Sequence, residues 1–267
     1  METKIINLEN KQIGKRKLPV QFEEEIRPDL IRRGVLAVQS TRRQPYGAKP
    51  GAGLRHSARV SKRRRDWRGS YGIGISRIAR KVTQRRGSRF TWTGAISPQA
   101  VGGRRAHPPK AEKIWVQGIN KKERRKSIRS AIAATFNLEL VKQRHSVPES
   151  YPFIVSKDIE KLDKTKDVQA FMEKVGFKDE LNRAGVKSVR AGKGKWRGRK
   201  YKVSKGPLFV VSGECKLLDA AKNIGGVEVV DVKHLNAELL APGTHAGRLT
   251  LWSEAAVDLM EKEKLFI

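Results

Sequence analysis

The sequence predicts an α/β fold: a single globular domain with a mainly parallel central sheet flanked by helices, plus a long extended internal loop. Three observations carry this reading. From Pro152 onward, short apolar runs alternate with helical stripes, the pattern of parallel strands covered on both faces. Those runs, such as Leu208-Phe209-Val210-Val211, are apolar at consecutive positions, so neither side of the strand faces water. The charge is also unevenly placed. Of 58 Lys plus Arg, 19 lie between Arg42 and Lys110 against the one acid Asp66, and nine lie between Lys187 and Lys205 against none. What remains is near neutral and large enough to bury a core.

Taken in order, Lys4 to Leu8 and Ile13 to Val20 read as two short strands around the polar turn Glu9 to Gln12. Pro28-Asp29 opens a helix whose buried face is Leu30, Ile31, Gly34, Val35 and Val38, with proline in its first turn. A second helix starts at Asn120, whose side chain can cap it, and Glu123 completes a capping-box-like pair. Ile128, Ala131, Ile132 and Thr135 form its packing stripe. Phe153-Ile154-Val155 is a buried strand, and Val168, Phe171, Met172 and Val175 make a helical stripe that stops at Gly176. Leu208 to Val211 is the next strand, followed by a helical stretch around Leu217, Leu218 and Ala221 that ends at Gly225-Gly226. Val227 to Val232 is a third strand and Leu249 to Trp252 a fourth. Ser253 then caps a last helix with Ala256, Val257 and Met260 on one face.

The domain organisation is therefore residues 1–267 as one α/β domain, interrupted by a basic Gly/Arg-rich loop at 42–110 and a second basic loop at 187–205. The first segment holds ten glycines and no sustained apolar period, and Trp67, Tyr71, Phe90 and Trp92 stand isolated among cations. A segment of this length without an apolar face is functional or disordered rather than part of the core.

A net charge of +31 and a pI near 10.7 exclude an ordinary enzyme surface, because such repulsion needs a polyanion to neutralise it. The single Cys215 excludes an internal disulfide and a cysteine zinc cluster. The first residues do not form a leader, and no run reaches the ~18 apolar residues of a membrane span, so the expected setting is cytoplasmic, with no membrane partner.

Arginine forks pair with phosphates, glycine lets backbone approach closely, and aromatics stack on unpaired bases. An irregular, Gly-punctuated excursion tethered at both ends suits a folded RNA with crevices and single strands. The candidate binding residues in the first segment are Arg42, Arg43, Arg55, Arg59, Arg63, Arg64, Arg65, Arg68, Arg77, Arg80, Lys81, Arg85, Arg86, Arg104, Arg105, His107 and Lys110. Arg124 and Arg125 on the second helix join them. The second segment contributes Arg190, Lys193, Lys195, Trp196, Arg197, Arg199, Lys200 and Tyr201. A DNA-compacting protein would instead carry terminal Lys-rich tails, which this chain lacks.

No catalytic, cofactor or metal site is expected. The Gly-Lys pairs at 192 and 194 have neither the upstream glycine nor the hydroxyl residue of a phosphate loop, and Gly69 to Gly74 has the wrong glycine order for a dinucleotide site. The five histidines, at 56, 107, 145, 234 and 245, fall at no metal-ligand spacing. Cys215 reads as a buried or half-buried free thiol, not a nucleophile. An RNA-modifying enzyme would need a Gly-rich turn directly after an apolar strand, whereas Ser212-Gly213-Glu214 offers one glycine.

The string Gly102-Gly103-Arg104-Arg105-Ala106-His107-Pro108-Pro109-Lys110, with Asn120 to Arg124 and Arg129 to Ala134, resembles the large-subunit ribosomal protein four family of the archaeal type. The resemblance extends through Pro28 to Ile31, Arg190 to Gly194, Arg197 to Tyr201, Ala241 to Gly243 and Gly247 to Thr250, so it covers nearly the whole chain. It implies a structural constituent of the large ribosomal subunit that binds and stabilises large-subunit rRNA. It also implies that the loop tip helps to form the constriction of the nascent-peptide exit tunnel, opposite the extended hairpin of another ribosomal protein. The implied partners are large-subunit rRNA, neighbouring ribosomal proteins and, transiently, the nascent polypeptide. The tip falls on Arg68, Gly72, Ile73, Gly74, Ile75 and Arg77. Relatives commonly place a basic residue between the two tip glycines, where this chain has Ile73, so the basic role falls to Arg68 or Arg77.

Overall fold

A computed structural model describes residues 2–66, 69–87 and 89–267. In chain order the elements are β1 (Glu2–Ile6), β2 (Gln12–Lys17) and α1 (Pro28–Thr41), then β3 (Ala58–Arg59), β4 (Arg80–Arg86) and β5 (Arg89–Gly94). There follow α2 (Lys121–Thr135), α3 (Leu138–Lys142), β6 (Phe153–Val155), α4 (Thr165–Val175), α5 (Lys178–Gly185), β7 (Lys187–Val189) and β8 (Tyr201–Val203). The chain continues with β9 (Leu208–Val211), α6 (Leu217–Ala221), β10 (Glu228–Asp231), α7 (Ala237–Leu240), β11 (Thr250–Ser253) and α8 (Glu254–Lys262). These elements fall into two compact units, Met1–Arg42 with Val116–Ile267, and Arg43–Trp115.

The first unit is built on a six-stranded sheet in the order β10-β9-β11-β6-β1-β2. Every pair is parallel except β1 with β2, which is antiparallel and forms one edge. The sheet is thus mainly parallel and flanked by helices, as the alternation of apolar runs and helical stripes implies. Successive residues of a strand point to opposite faces, and the core divides accordingly. Ile154, Leu208, Val210 and Trp252 join one apolar cluster with Ile31 and Val35 of α1, Ile128 and Ile132 of α2, and Val257 and Met260 of α8. Phe153, Val155, Phe209, Val211 and Leu251 join the other, with Val168, Phe171 and Met172 of α4 and Leu217 and Ala221 of α6. Burial on both sides is why these strands show no polar alternation.

Helix α4 ends at Gly176, which takes the left-handed conformation. Helices α1 and α2 pack closely because Gly34 has no side chain: a Cβ there would lie 2.5 Å from the Ser127 hydroxyl and 3.3 Å from the Ala237 Cβ. Ser130 of α2 also accepts the Arg27 amide just before α1 at 2.7 Å.

Two expected caps are absent. Asn120 has the extended backbone of an N-cap, but its side chain makes no capping bond, and Glu123 pairs instead with Arg33 of α1 at 3.0 Å. A charge-assisted contact to a neighbouring helix displaces the reach-back to the cap. Ser253 likewise starts α8 without a side-chain cap, its hydroxyl buried in the strand it also belongs to. Three short helices, α3, α5 and α7, and the hairpin β7–β8 carry too few periodic apolar residues to have stood out in the sequence.

Candidate nucleic-acid interface

The second unit is the basic insertion, and it contains ordered secondary structure. Its sheet runs β3-β4-β5 with antiparallel pairing, Val82 opposite Trp92 and Arg86 opposite Arg89. The sequence reading placed no strand in this segment, and over Arg80 to Gly94 the structure adds a hairpin to it. Val82, Thr83, Phe90, Thr91, Trp92 and Thr93 are β-branched or aromatic residues that favour a pleated surface, and Phe90 meets Trp92 edge to face at 5.1 Å. The interleaved arginines concealed that signal in the sequence.

The Gly-Gly-Arg-Arg string owes its second glycine to packing: a Cβ on Gly103 would sit 2.0 Å from the Ser97 carbonyl oxygen. Further on, Ala48 donates to the Pro109 carbonyl at 3.0 Å. Tyr46 stacks on Trp115 with centroids 5.5 Å apart, and the Arg43 guanidinium lies 3.8 Å and the Lys113 ammonium 4.4 Å from the same indole centroid. This cation–aromatic cluster joins the first and last residues of the insertion. Beside it, exposed His107 lines a cleft with Pro108, Pro109 and Lys110.

The structure sorts the candidate binding residues by what else they hold. Arg43, Arg55, Arg59, Arg63, Arg64, Arg65, Arg77, Arg85, Arg86, Arg105 and Lys110 are exposed, whereas Arg80, Lys81 and Arg104 are partly buried. Arg59 pairs with Asp66 at 3.2 Å, and Arg55 donates to the Pro50 carbonyl. Arg80 donates to Ser76, and Arg104 donates to the carbonyls of Arg105 and Ala106. Arg68 and Trp67 lie outside the described residues. At the tip, Gly72 and Gly74 have φ of 77° and 70°, a backbone that L side chains rarely adopt. Ile73 between them is 55% exposed, while Ile75 is half-buried. Arg77 covers the Tyr71 ring at 4.3 Å.

The other cationic elements belong to the first unit. Arg124 of α2 is exposed, but Arg125 is half-buried and donates to the Ile267 carbonyl. Arg42 is exposed and paired with Glu238 at 2.9 Å. The 187–205 segment is a hairpin in which β7 and β8 pair antiparallel, Lys187 opposite Val203 and Val189 opposite Tyr201. Arg190 fastens this hairpin by donating to the carbonyls of Arg199 and Tyr201. Lys193, Lys195, Arg197, Arg199 and Lys200 are exposed, and so are Trp196 at 83% and Tyr201 at 52%. Lys195 lies 5.8 Å from the Trp196 centroid and Lys200 5.4 Å from that of Tyr201. Exposed rings beside ammonium groups are the elements of a stacking, phosphate-neutralising surface.

A buried charge network adjoins this hairpin. Fully buried Glu180 accepts from His145 Nδ1 at 2.6 Å, from the Ser146 amide at 3.0 Å, and from Arg183 at 2.8 and 2.6 Å. Burial pushes the Glu180 carboxyl up, but the hydrogen bonds from Arg183 and His145 outweigh it and hold the group below its ordinary value. Arg183 also donates to the Lys205 carbonyl, where the 187–205 segment ends. Sequence reading missed this network because 35 positions separate His145 from Glu180 and because α5, which carries Glu180 and Arg183, did not stand out. Cys215 is half-buried with its thiol pushed up by burial, so the thiolate is disfavoured.

Among the described residues no group of His, Cys, Asp and Glu could hold a metal ion, and no helix is long and apolar enough to cross a membrane.

The chain is 50% identical over 268 residues to the large ribosomal subunit protein uL4 of Nanoarchaeum equitans, covering 100% of both chains. It is 46% identical to the protein of that name from Archaeoglobus fulgidus, over 97% of this chain and 98% of the relative. For the one from Methanocaldococcus jannaschii the values are 47%, 98% and 99%. The model of the ribosomal protein L4/L1 family matches residues 17–263. A match across both chain halves, the insertion between them included, shows that this chain belongs to the ribosomal protein L4/L1 family, whose members are structural, non-enzymatic components of the ribosome.

Proposed function

We propose that this ribosomal constituent binds large-subunit rRNA of the 23S type through its insertion and its 187–205 hairpin, and that it stabilises the fold of that RNA. The observation that carries the reading is the charge placement. Residues 42–110 hold 19 cationic side chains against one acid, and most of the described ones are exposed. Such a surface is stable in a compact assembly only when phosphates neutralise it. In this reading Arg63, Arg64, Arg65, Arg85, Arg86 and Arg105 meet phosphates, Trp196 and Tyr201 stack on bases, and Arg80, Arg104 and Arg190 hold their own segments in shape.

The tip residues Arg68, Gly72, Ile73, Gly74, Ile75 and Arg77 help to form the constriction of the nascent-peptide exit tunnel, facing a hairpin of a neighbouring ribosomal protein, in a cytoplasmic large subunit. Their position supports this. Ser76 is the midpoint of 42–110, and about 35 residues each way at ~3.3 to 3.6 Å per residue set an upper reach of roughly 110 to 120 Å. The exposed Ile73 gives a passing chain an apolar contact.

The test is salt dependence. Binding of the full chain to large-subunit rRNA is compared with that of a chain lacking Gly47 to Gly102. Each phosphate that the protein no longer neutralises lowers the slope of log K against log salt by about 0.7 to 0.9, so the deletion should lower it by several such steps. An unchanged slope would move the RNA-binding surface away from the insertion.

A further inference from the structure

A second cationic feature lies in the first unit, where Arg42 and Lys205, the end residues of the two basic segments, meet cations of the body. It is a cleft of about 480 Å³ at the N-terminal ends of the parallel strands β9, β10 and β11. Five cations line it: Arg42 at the end of α1, Arg144 after α3, Arg183 of α5, Lys205 before β9 and Arg248 before β11. Glu228 and Glu238 also line it, and Glu180 lies behind Arg183.

These carboxylates are already engaged. Glu228 pairs with Arg248 at 2.7 Å and with Lys205, Glu180 with Arg183 at 2.6 Å, and Glu238 lies 2.9 Å from Arg42 in an ion pair that leaves its Oε2 without a hydrogen bond. Five cations against three carboxylates leave two positive charges uncompensated, the charge that a phosphate monoester cancels. Arg248 sharpens the point, because its side chain is 0% exposed. Its Nε donates to the Gly206 carbonyl, and one terminal nitrogen donates to Glu228 and to the Leu239 carbonyl. The other terminal nitrogen, Nη2, is buried and has no hydrogen-bond partner. A buried charged donor left unmet is costly, and its residue forms part of the cleft wall.

From this convergence we infer that the cleft is a binding site for a phosphate-type oxyanion. The anion is held by Arg144, Lys205 and Arg183 and completes the hydrogen bonding of Arg248. The volume exceeds that of a lone anion and admits a phosphate ester with part of its organic group. The site sits at the opposite end of the strands from the usual ligand crevice of α/β sheets; the loops after α3 and α7 and those before β9 and β11 build it. It does not depend on the RNA reading of the insertion, because inorganic phosphate has the same recognition chemistry.

The experiment follows the guanidinium NMR signals of Arg248 in the full chain during titration with inorganic phosphate, with ionic strength held constant by sodium chloride. The signals should shift to saturation in the unmodified chain. The midpoint should rise about five- to tenfold in Arg144→Gln, which removes a cation, and fall by a similar factor in Glu238→Gln, which removes a competing carboxylate. Replacing Arg197 and Arg199 by Gln, away from the cleft, should leave it unchanged. Thermal unfolding of each variant checks that it is folded, and Glu238→Gln alone decides the matter if Arg144→Gln fails to fold. A large-subunit rRNA fragment added in place of phosphate identifies the source. If it moves the same signals, the phosphate is supplied by the RNA backbone; if only inorganic phosphate moves them, the ligand is a free phosphate compound. Arg248 signals that respond alike to phosphate and chloride, or a midpoint indifferent to both substitutions, would overturn the inference.

Discussion

Replacing Glu180 by alanine should destabilise the first unit substantially, and in a way that depends on pH. The carboxylate accepts four hydrogen bonds, two from Arg183 and one each from His145 and the Ser146 amide. Breaking a buried ion pair from one side costs roughly 3 to 5 kcal/mol, because the partner charge stays behind. Arg183 is 34% exposed at its side chain and keeps the Lys205 carbonyl, so it can turn toward water; the lower end, about 3 kcal/mol, is expected. At about 2 to 4 °C per kcal/mol for a unit of this size, Tm falls by about 6 to 12 °C. Glu180→Gln keeps the shape and one acceptor oxygen and should cost about 1 to 2 kcal/mol. The folded-state value of Glu180 lies below its unfolded one, so its contribution is complete above the unfolded value of about 4.3 and is lost as pH falls through the folded one. Calorimetric unfolding from pH 7 downward should show the gap between Glu180→Ala and the unmodified chain holding to about pH 5 and closing in more acid solution. A gap of the same size at every pH would mean that the loss of packing, and not the charge network, causes the effect.

Three further outcomes are expected. Gly34→Leu should lower stability by about 1 to 3 kcal/mol in chemical denaturation, since it forces α1 from α2; Gly34→Ala should cost less, because alanine recovers up to ~1 kcal/mol of helix propensity, and equal stability of Gly34→Leu and the unmodified chain would contradict the packing account. Changing Arg197, Arg199 and Lys200 together to Gln should leave Tm nearly unchanged, as exposed charges contribute little, while affinity for large-subunit RNA drops; loss of folding with full affinity would reverse that assignment. A photocrosslinker at Ile73 should capture a stalled nascent peptide, and one at Asn223 should not; capture at Asn223 alone would remove the insertion from the tunnel.

Much of the first unit was legible because its information is local. Phe153 to Val155 and Leu208 to Val211 are apolar at consecutive positions, and only strands buried on both faces require that. The last helix was readable from the stripe of Ala256, Val257 and Met260, while the edge strand β2, mostly polar and exposed, was placed by the polar turn before it. The caps were less legible: Asn120 and Ser253 stand at helix starts, but whether a side chain bonds its own backbone depends on competitors such as Arg33, which tertiary packing supplies. The hairpin β4–β5 was hidden because charge dominated the composition while its pairing rests on Val82 and Trp92. The cations of the candidate interface were visible one by one, but their division into exposed groups and groups tied to a carbonyl, as for Arg190 and Arg80, needs the fold. The cleft around Arg248 gave no sequence signal, since its residues come from seven separate places.

The seam between α1 and α2 carries a kinetic consequence. Gly34 and Ser127 touch, yet between them the chain makes its whole basic excursion, so one half of the core closes only after a long search. Loop-closure entropy grows logarithmically with length, about 0.6 kcal/mol per doubling, which makes so long an insertion inexpensive for the finished fold. The rate bears it differently, because pairings distant in sequence slow folding. Until the seam forms, Ile31, Val35, Ile128 and Ile132 are exposed beside a strongly cationic segment. A polyanion that draws in the insertion while synthesis proceeds would shorten that search, so the RNA proposed as the partner of the finished protein would also assist its folding.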